Sequence, residues 1–324
     1  MKILRITGKV VLAVFGLLII LIITSTINHN YKLKKESKEY PPPGKLIKVN
    51  GNKMHIYSQG QGDTTLVFMS GSGTSNPTID FKPLWMKMIN EYRIMVVEKA
   101  GYGWSEISSN PRDIDTILEE TREALKIFGA NGPYVLVPHS MSGLEAIYWA
   151  QKYPDEVTAI IGLDPGIPEI YENNSDILSR KNELNIMYFV SRIGLSRFMN
   201  RTELEKYLPL LKSKDLSDKD KEQLIAIFYK SSITKNMLDE IDYIQENVQK
   251  VRSNSVPSST PMYFFISDAS DINMRNWKNY LSNYVSQINF GKYKFLDSGH
   301  YVHHGKSNII ANEIKAFLKE INVN

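Results

Sequence analysis

Four short apolar runs separated by amphipathic stretches constrain this chain more than any other feature. They are Thr65–Met69 (TLVFM), Arg93–Val97 (RIMVV), Tyr134–Val137 (YVLV) and Val157–Leu163 (VTAIIGL). Each has strand length, while Ile114–Phe128 and Leu144–Lys152 between them carry apolar residues at helical spacing. Strands alternating with helices predict the α/β class, with a mostly parallel central sheet flanked by helices on both faces. Upstream, Leu46–Tyr57 reads as a hairpin turning at Asn50-Gly51, two residues that tolerate the positive φ of a tight turn.

The alternation then stops. From about Gly166 to Ser255 no segment reads as a strand, and Leu178–Phe198, Thr202–Leu210, Lys219–Tyr229 and Ile233–Val248 read as amphipathic helices. Met262–Ile266 and Tyr293–Leu296 restore strands, and Ser307–Ile321 closes the chain as a helix. The expected organisation is a core in two parts, 45–165 and 257–324, with a helical cap at 166–256. Open sheets bind ligands at the C-terminal ends of their strands, which is where such an insertion shapes a pocket.

Ahead of the core, residues 1–9 form a basic flank. Residues 10–27 hold no charge and only one glycine. As a helix that run is about 27 Å long, enough to cross a bilayer with its backbone satisfied internally. It reads as a transmembrane anchor, with a cleaved signal segment and a secreted body as the alternative. Its exit, TSTINHNYKLKK, offers no small-x-small cleavage site. Lysines flank both ends, so orientation rests on the opening Met-Lys-x-x-Arg, the absence of a second membrane-length run and the missing cysteine. These favour a single-pass protein of the cell membrane with its catalytic body outside the cytoplasm. Residues 28–44, ending in Pro41-Pro42-Pro43-Gly44, read as a tether.

Composition excludes several chemistries. There is no cysteine, which removes thiol catalysis and cysteine-ligated metals. The net charge is +4, but residues 1–39 carry +5 and the remainder −1, so nothing in the body marks it for nucleic acid. Oligomeric state is not legible.

The stretch Val135-Leu136-Val137-Pro138-His139-Ser140-Met141-Ser142-Gly143-Leu144-Glu145-Ala146 carries the chemistry. A strand runs directly into a serine, and a helix begins directly after it. Such a turn lifts the hydroxyl above the sheet edge and aims the next amides, Met141 N–H first, at a forming oxyanion. Here the chain resembles the α/β-hydrolase family at its nucleophile elbow, G-x-S-x-G, with Pro138 at the first glycine and Ser142 at the second. Glu98-Lys99-Ala100-Gly101-Tyr102-Gly103-Trp104-Ser105 resembles the family's acid-x-x-G-x-G-x-S turn, with Glu98 in place of Asp. Asp297-Ser298-Gly299-His300 resembles its G-H before the last helix.

The resemblance implies a serine hydrolase with Ser140 as nucleophile and His300 as general base. The orienting acid is then expected after the Met262–Ile266 strand, at Asp271 or else Asp268, with Asp164 a further alternative. The second oxyanion donor is expected in Ser70-Gly71-Ser72-Gly73, at the Ser72 amide or else that of Gly71. His303 and His304 compete with His300 as base, and His139 is expected to pack. The three histidines of 300–304 raise a metal reading, but no His-Glu-x-x-His supports one, so neither metal nor cofactor is expected.

The substrate reading is a carboxylic ester of small or medium apolar character, hydrolysed through an acyl-enzyme. Tyr188, Phe189, Phe228, Tyr229 and Met237 of the cap are candidates for the pocket lining or for cap core. An aminopeptidase acting on a short peptide is the alternative enzyme, and would use Glu203, Glu205, Asp239 or Glu240 to hold an ammonium. A membrane-tethered binding protein that has lost turnover is the third reading, motivated by Pro138 and Ser70.

Overall fold

The computed structural model describes residues 2–172, 181–272, 274 and 276–323. Leu178, the expected start of the first cap helix, and Met1 of the basic flank lie outside these residues. The sheet has eight strands in the order β1-β2-β4-β3-β5-β6-β7-β8. They are Lys45–Val49, Asn52–Gln59, Thr65–Met69, Arg93–Glu98, Tyr134–Ser140, Val157–Pro165, Met262–Ile266 and Gly291–Phe295, numbered β1 to β8. β1 and β2 form the antiparallel hairpin, turning on Asn50 and Gly51, both with positive φ. β2 is antiparallel to β4, and every pairing from β4 to β8 is parallel.

Successive strand residues point to opposite faces, so each strand feeds two cores. On one face Val67, Met95, Leu136, Ile160 and Phe264 pack against helices α4 (Ile114–Phe128), α5 (Ser142–Lys152) and α12 (Trp277–Val285). On the other, Phe68, Val96, Val137, Ile161 and Phe265 meet the short helix α3 (Lys82–Trp85), which follows α2 (Pro77–Asp80), and the final helices α13 (Val302–Gly305) and α14 (Ser307–Glu320). Burial on both faces explains why the central strands read as continuous apolar runs.

Between β6 and β7 the described residues form helices only: α6 (Pro168–Glu172), α7 (Lys181–Arg192), α8 (Arg201–Tyr207), α9 (Asp218–Ser231), α10 (Lys235–Asp242) and α11 (Ile244–Arg252). Their breaks have local causes. Gly194 takes a left-handed conformation and ends the expected 178–198 helix early. Asn200 and Ser217 open α8 and α9 with capping boxes, and Thr234 caps α10.

This insertion is fastened to the loop after β4. Lys99 Nζ bonds Glu145 of α5 at 2.6 Å and Glu240 of α10 at 3.1 Å, and the Tyr102 hydroxyl donates to Glu240 at 2.8 Å. All four residues are buried. Lys230 donates to the Gly103 carbonyl, and Asn236 bonds both the amide and the carbonyl of Ser108. Glu98 organises the loop itself, accepting from the Thr78 hydroxyl and the Trp104 amide at 2.8 Å each. Gly103, at φ +49, leaves the space that the Glu98 carboxylate fills.

The N-terminal helix α1 runs without interruption from Lys2 to Glu39. Residues 28–39, expected as a tether, instead continue it, because Lys and Glu are good helix formers and the turn gains partners. Ser25 Oγ donates to the Ile193 carbonyl at 2.7 Å, and Arg197 forms two 2.7 Å bonds to Glu36 and one of 2.8 Å to His29 Nδ1. Gly194 lies so close to His29 that a side chain there would collide. The most apolar 18-residue window of α1 is only 6% buried, and the helix is long and apolar enough to cross a membrane by length and composition.

Replacing Lys99 by Met strands two carboxylates in a buried site, and loss of one partner from such a pair costs about 3 to 5 kcal/mol. Chemical denaturation of Lys99→Met is expected to register that loss. Glu240→Gln, which keeps the Lys99–Glu145 pair, should lose clearly less.

Candidate active site

β5 ends in Ser140, whose φ of +53° is left-handed for a residue with a side chain. That turn is braced by its neighbours. Ser142 is fully buried; its hydroxyl accepts from the His139 amide at 3.1 Å and lies 2.7 Å from the Met69 carbonyl and 2.8 Å from that of His139. It thereby ties the end of β5 to the end of β3 beside Pro138, a residue with no N–H to contribute. Gly143 packs against the Gly166 backbone, leaving no room for a side chain. The glycine requirement of this elbow thus falls one residue later than the G-x-S-x-G pattern.

The loop after β3 presses on the same point. A Cβ on Gly71 would lie 2.6 Å from Ser140 Cβ, so only glycine lets Ser70-Gly71-Ser72-Gly73 approach the hydroxyl this closely. On the other side Met141 leads into α5, whose first residue is Ser142. The expected oxyanion amides, those of Met141 and of Ser72 or Gly71, thus belong to the two segments that bracket Ser140.

His300, 6% exposed, stands over the serine. Its Nε2 is 2.8 Å from Ser140 Oγ, and its Nδ1 is 2.7 Å from Asp164 Oδ2. Asp164 is fully buried at the end of β6, itself at φ +51°. The Ser267 amide, the Ser267 hydroxyl and the Trp277 indole also donate to its carboxylate, at 2.7, 2.6 and 2.8 Å.

The acid facing the ring is therefore Asp164, and the expectation of Asp271 or Asp268 is corrected. Asp271 does meet His300, but at the main chain: both its oxygens accept the His300 amide, at 2.9 and 3.0 Å. Gly299 gives that carboxylate its space. Asp268 is exposed and accepts from the Ser270 amide and hydroxyl close by, as a turn residue does. The sequence signal for Asp164 was its place at the end of the strand beside β5, followed by Pro165-Gly166, with Ser140 and Pro165 in register.

The other histidines serve elsewhere. His139 is buried with its ring centroid 4.8 Å from that of His300 and 5.0 Å from that of His303. Burial, and then the neighbouring imidazoles, push its pKa well below the usual histidine value. His303 and His304 do not reach Ser140; their Nε2 atoms bond the two oxygens of Asp80 at 2.7 and 2.8 Å. The ligand atoms of Asp80, His303 and His304 all lie within 4.8 Å of one another, a donor set with the composition to hold a divalent ion. Their hydrogen bonds also satisfy the carboxylate directly. Burial lowers His303 to a pKa of about 4, although Asp80 opposes the shift. Burial would raise Asp80, but the two imidazoles outweigh it and hold the carboxyl well below its ordinary range.

A cavity of about 570 Å³ adjoins the site. Gly73–Asn76, Asp271 and Tyr301, flanking the candidate-site loops, line it on the core side, and Leu184, Met187, Leu210 and Phe228 line it from the insertion. Of the aromatic and methionine candidates, only Phe228 lines it. Phe189 is exposed, Met237 is buried and Tyr229 lies under the Arg197 guanidinium. None of the four candidate acids lines it either: Glu240 is held by Lys99, Glu203 completes a helix cap and Glu205 pairs with Arg201.

His303 binds fewer protons folded than unfolded between its folded pKa of about 4 and the ordinary 6.5. Its contribution is therefore complete above pH 6.5 and is lost as pH falls toward 4, on the order of 3 kcal/mol. Asp80, also depressed, adds a loss only at still lower pH. The melting temperature is expected to fall between pH 6.5 and 4, with a shallower slope in His303→Gln.

The comparisons bear on the fold that carries this site. The sequence profile of the alpha/beta hydrolase fold matches residues 70–192. The uncharacterized protein YbdG of Bacillus subtilis (strain 168) is 37% identical over 305 residues, covering 91% of this chain and 92% of YbdG. Among solved structures, Lip1 of Acinetobacter baumannii superposes with a TM-score of 0.67 at 16% identity, covering 91% of this chain and 97% of Lip1. An epoxide hydrolase of Bacillus megaterium gives a TM-score of 0.62 at 19% identity, covering 85% of this chain and all of the other. An elbow serine between β3 and β6, a histidine before the last helix, the matching profile and a full-length relative all lead to one statement: the chain belongs to the α/β-hydrolase family.

Proposed function

We propose that this protein is a membrane-anchored serine hydrolase that cleaves carboxylic esters through Ser140, His300 and Asp164. The observation that carries the reading is the continuous hydrogen-bonded line from Ser140 Oγ through the His300 ring to Asp164, with both contacts under 3 Å.

In this mechanism His300 Nε2 takes the Ser140 proton as Oγ attacks the ester carbonyl. Asp164, held by four donors, fixes the tautomer with hydrogen on Nδ1 and stabilises the imidazolium that forms. His139, kept neutral by burial, adds no positive charge beside it. The Met141 amide and that of Ser72, with Gly71 as the alternative, receive the oxyanion. His300 returns the proton to the departing alkoxide, then activates water to hydrolyse the acyl-enzyme. No cofactor takes part.

The mostly apolar insertion wall of the cavity suits the acyl or alcohol part of an ester, so the insertion acts as a cap. An ester is preferred to a peptide N-terminus because, among the described residues, no acid of the insertion lines the cavity to pair with an ammonium. Against the inactive-binder reading, Ser142 braces the turn at Pro138, one of the two departures that motivate it. α1, apolar and exposed over 10–27, serves as the anchor, with the catalytic body outside the cytoplasm.

A fluorophosphonate probe tests the site. Wild type is expected to label, and Ser140→Ala and His300→Ala are not. Asp164→Asn should lower kcat on a short ester by about 10⁴-fold through the wrong tautomer. Asp271→Asn, which keeps an acceptor for the His300 amide, is expected to lose less than about tenfold. The reverse order for the two aspartates would overturn the assignment.

A further inference from the structure

Resting on the hydrolase reading and on α1 as the anchor, we infer that the exposed apolar face of α7 and the segment after it docks on the bilayer holding α1, so that the substrate is a long-chain carboxylic ester dissolved in that bilayer.

The inference follows from where α1 touches the insertion. Ser25, within the apolar span, bonds the Ile193 carbonyl, and His29 and Glu36 just beyond it bond Arg197. The end of α7 is thereby fixed at the level where the helix leaves the hydrocarbon. Phe189 lies four residues before Ile193, about 6 Å along a helix, which is within the depth at which apolar side chains enter a membrane interface. Phe198 directly follows Arg197.

These residues are unusually bare. Phe198 is 71% exposed, Ile186 64% and Phe189 56%, with Met187 also exposed. On α1 itself Leu21, Ile23 and Ile27, flanking the Ser25 contact with Ile193, are exposed as well. Just past the span, Lys32, Lys34, Lys35 and Lys38 are exposed on α1, placed for anionic headgroups. An apolar patch beside a membrane helix, with a basic collar behind it, fits a bilayer surface rather than a soluble partner.

The cavity opens on this same face. Ile186 and Met187 both line it and are exposed, so they form its rim, while Gly73 and Tyr301, which adjoin the Ser70–Ser72 segment and His300 in sequence, line it on the core side. On this proposal an acyl chain enters from the bilayer over this rim and lies along a cavity whose lining reaches Gly73 and Tyr301.

The test uses the full chain reconstituted in phosphatidylcholine–phosphatidylglycerol vesicles. Because the chain has no cysteine, Phe189→Cys accepts a single environment-sensitive fluorophore. Its emission is expected to fall by half or more when the phosphatidylcholine is brominated. In F189E/F198E, turnover of p-nitrophenyl palmitate carried in the bilayer should fall at least tenfold, while turnover of soluble p-nitrophenyl acetate and fluorophosphonate labelling stay unchanged. An unquenched probe, or palmitate turnover equal to wild type, overturns the docking. Should the double variant not fold, the quenching alone decides. A wild type that never labels removes the hydrolase reading, and the quenching still decides the docking independently.

Discussion

The site depends on two adjacent strand ends that both turn left-handed. Ser140 and Asp164 close β5 and β6 with positive φ, and neither is a glycine. Such a conformation is tolerated where the surroundings over-determine it. Here they do: the Ser140 carbonyl accepts from the Gly166 amide at 2.6 Å, which couples the two turns directly. The hydroxyl and the carboxylate end up on either side of one imidazole because parallel neighbours finish at the same height. The proposed mechanism needs a nucleophile and an acid held apart at the width of a histidine ring, and neighbouring strands supply that spacing.

Much of this was legible because local pattern and global fold agree. The apolar runs at 65–69, 93–97, 134–137 and 157–163 all became central strands, and Asn50-Gly51 became the hairpin turn. Ser140 and His300 could be paired on paper because each follows a strand and precedes a helix. The identity of the acid was less legible, since an aspartate after a strand looks alike whether it faces a ring or a backbone amide. Asp164 and Asp271 both bond His300, one at the side chain and one at the peptide, and only three-dimensional placement separates them.

Long-range partners were equally hidden. His303 and His304 suggest a base or metal ligands in sequence, but Asp80, more than 200 residues earlier, meets both. Phe189 has the composition of a pocket residue, and only its position on α7 turns it outward. Residues 28–39 carry the charge density of a linker, yet their contacts with Gly194 and Arg197 make them a rigid continuation of α1. In each case the missing information was a contact across the chain, which periodicity cannot encode.

The Arg197–Glu36 pair makes α1 a structural component of the helical insertion. A truncation that removes residues 1–39 to gain solubility also deletes the counter-charge of a nearly buried guanidinium and uncovers the groove left by Gly194. Kinetics measured on such a clipped form would describe a protein whose helical insertion has lost one of its supporting walls.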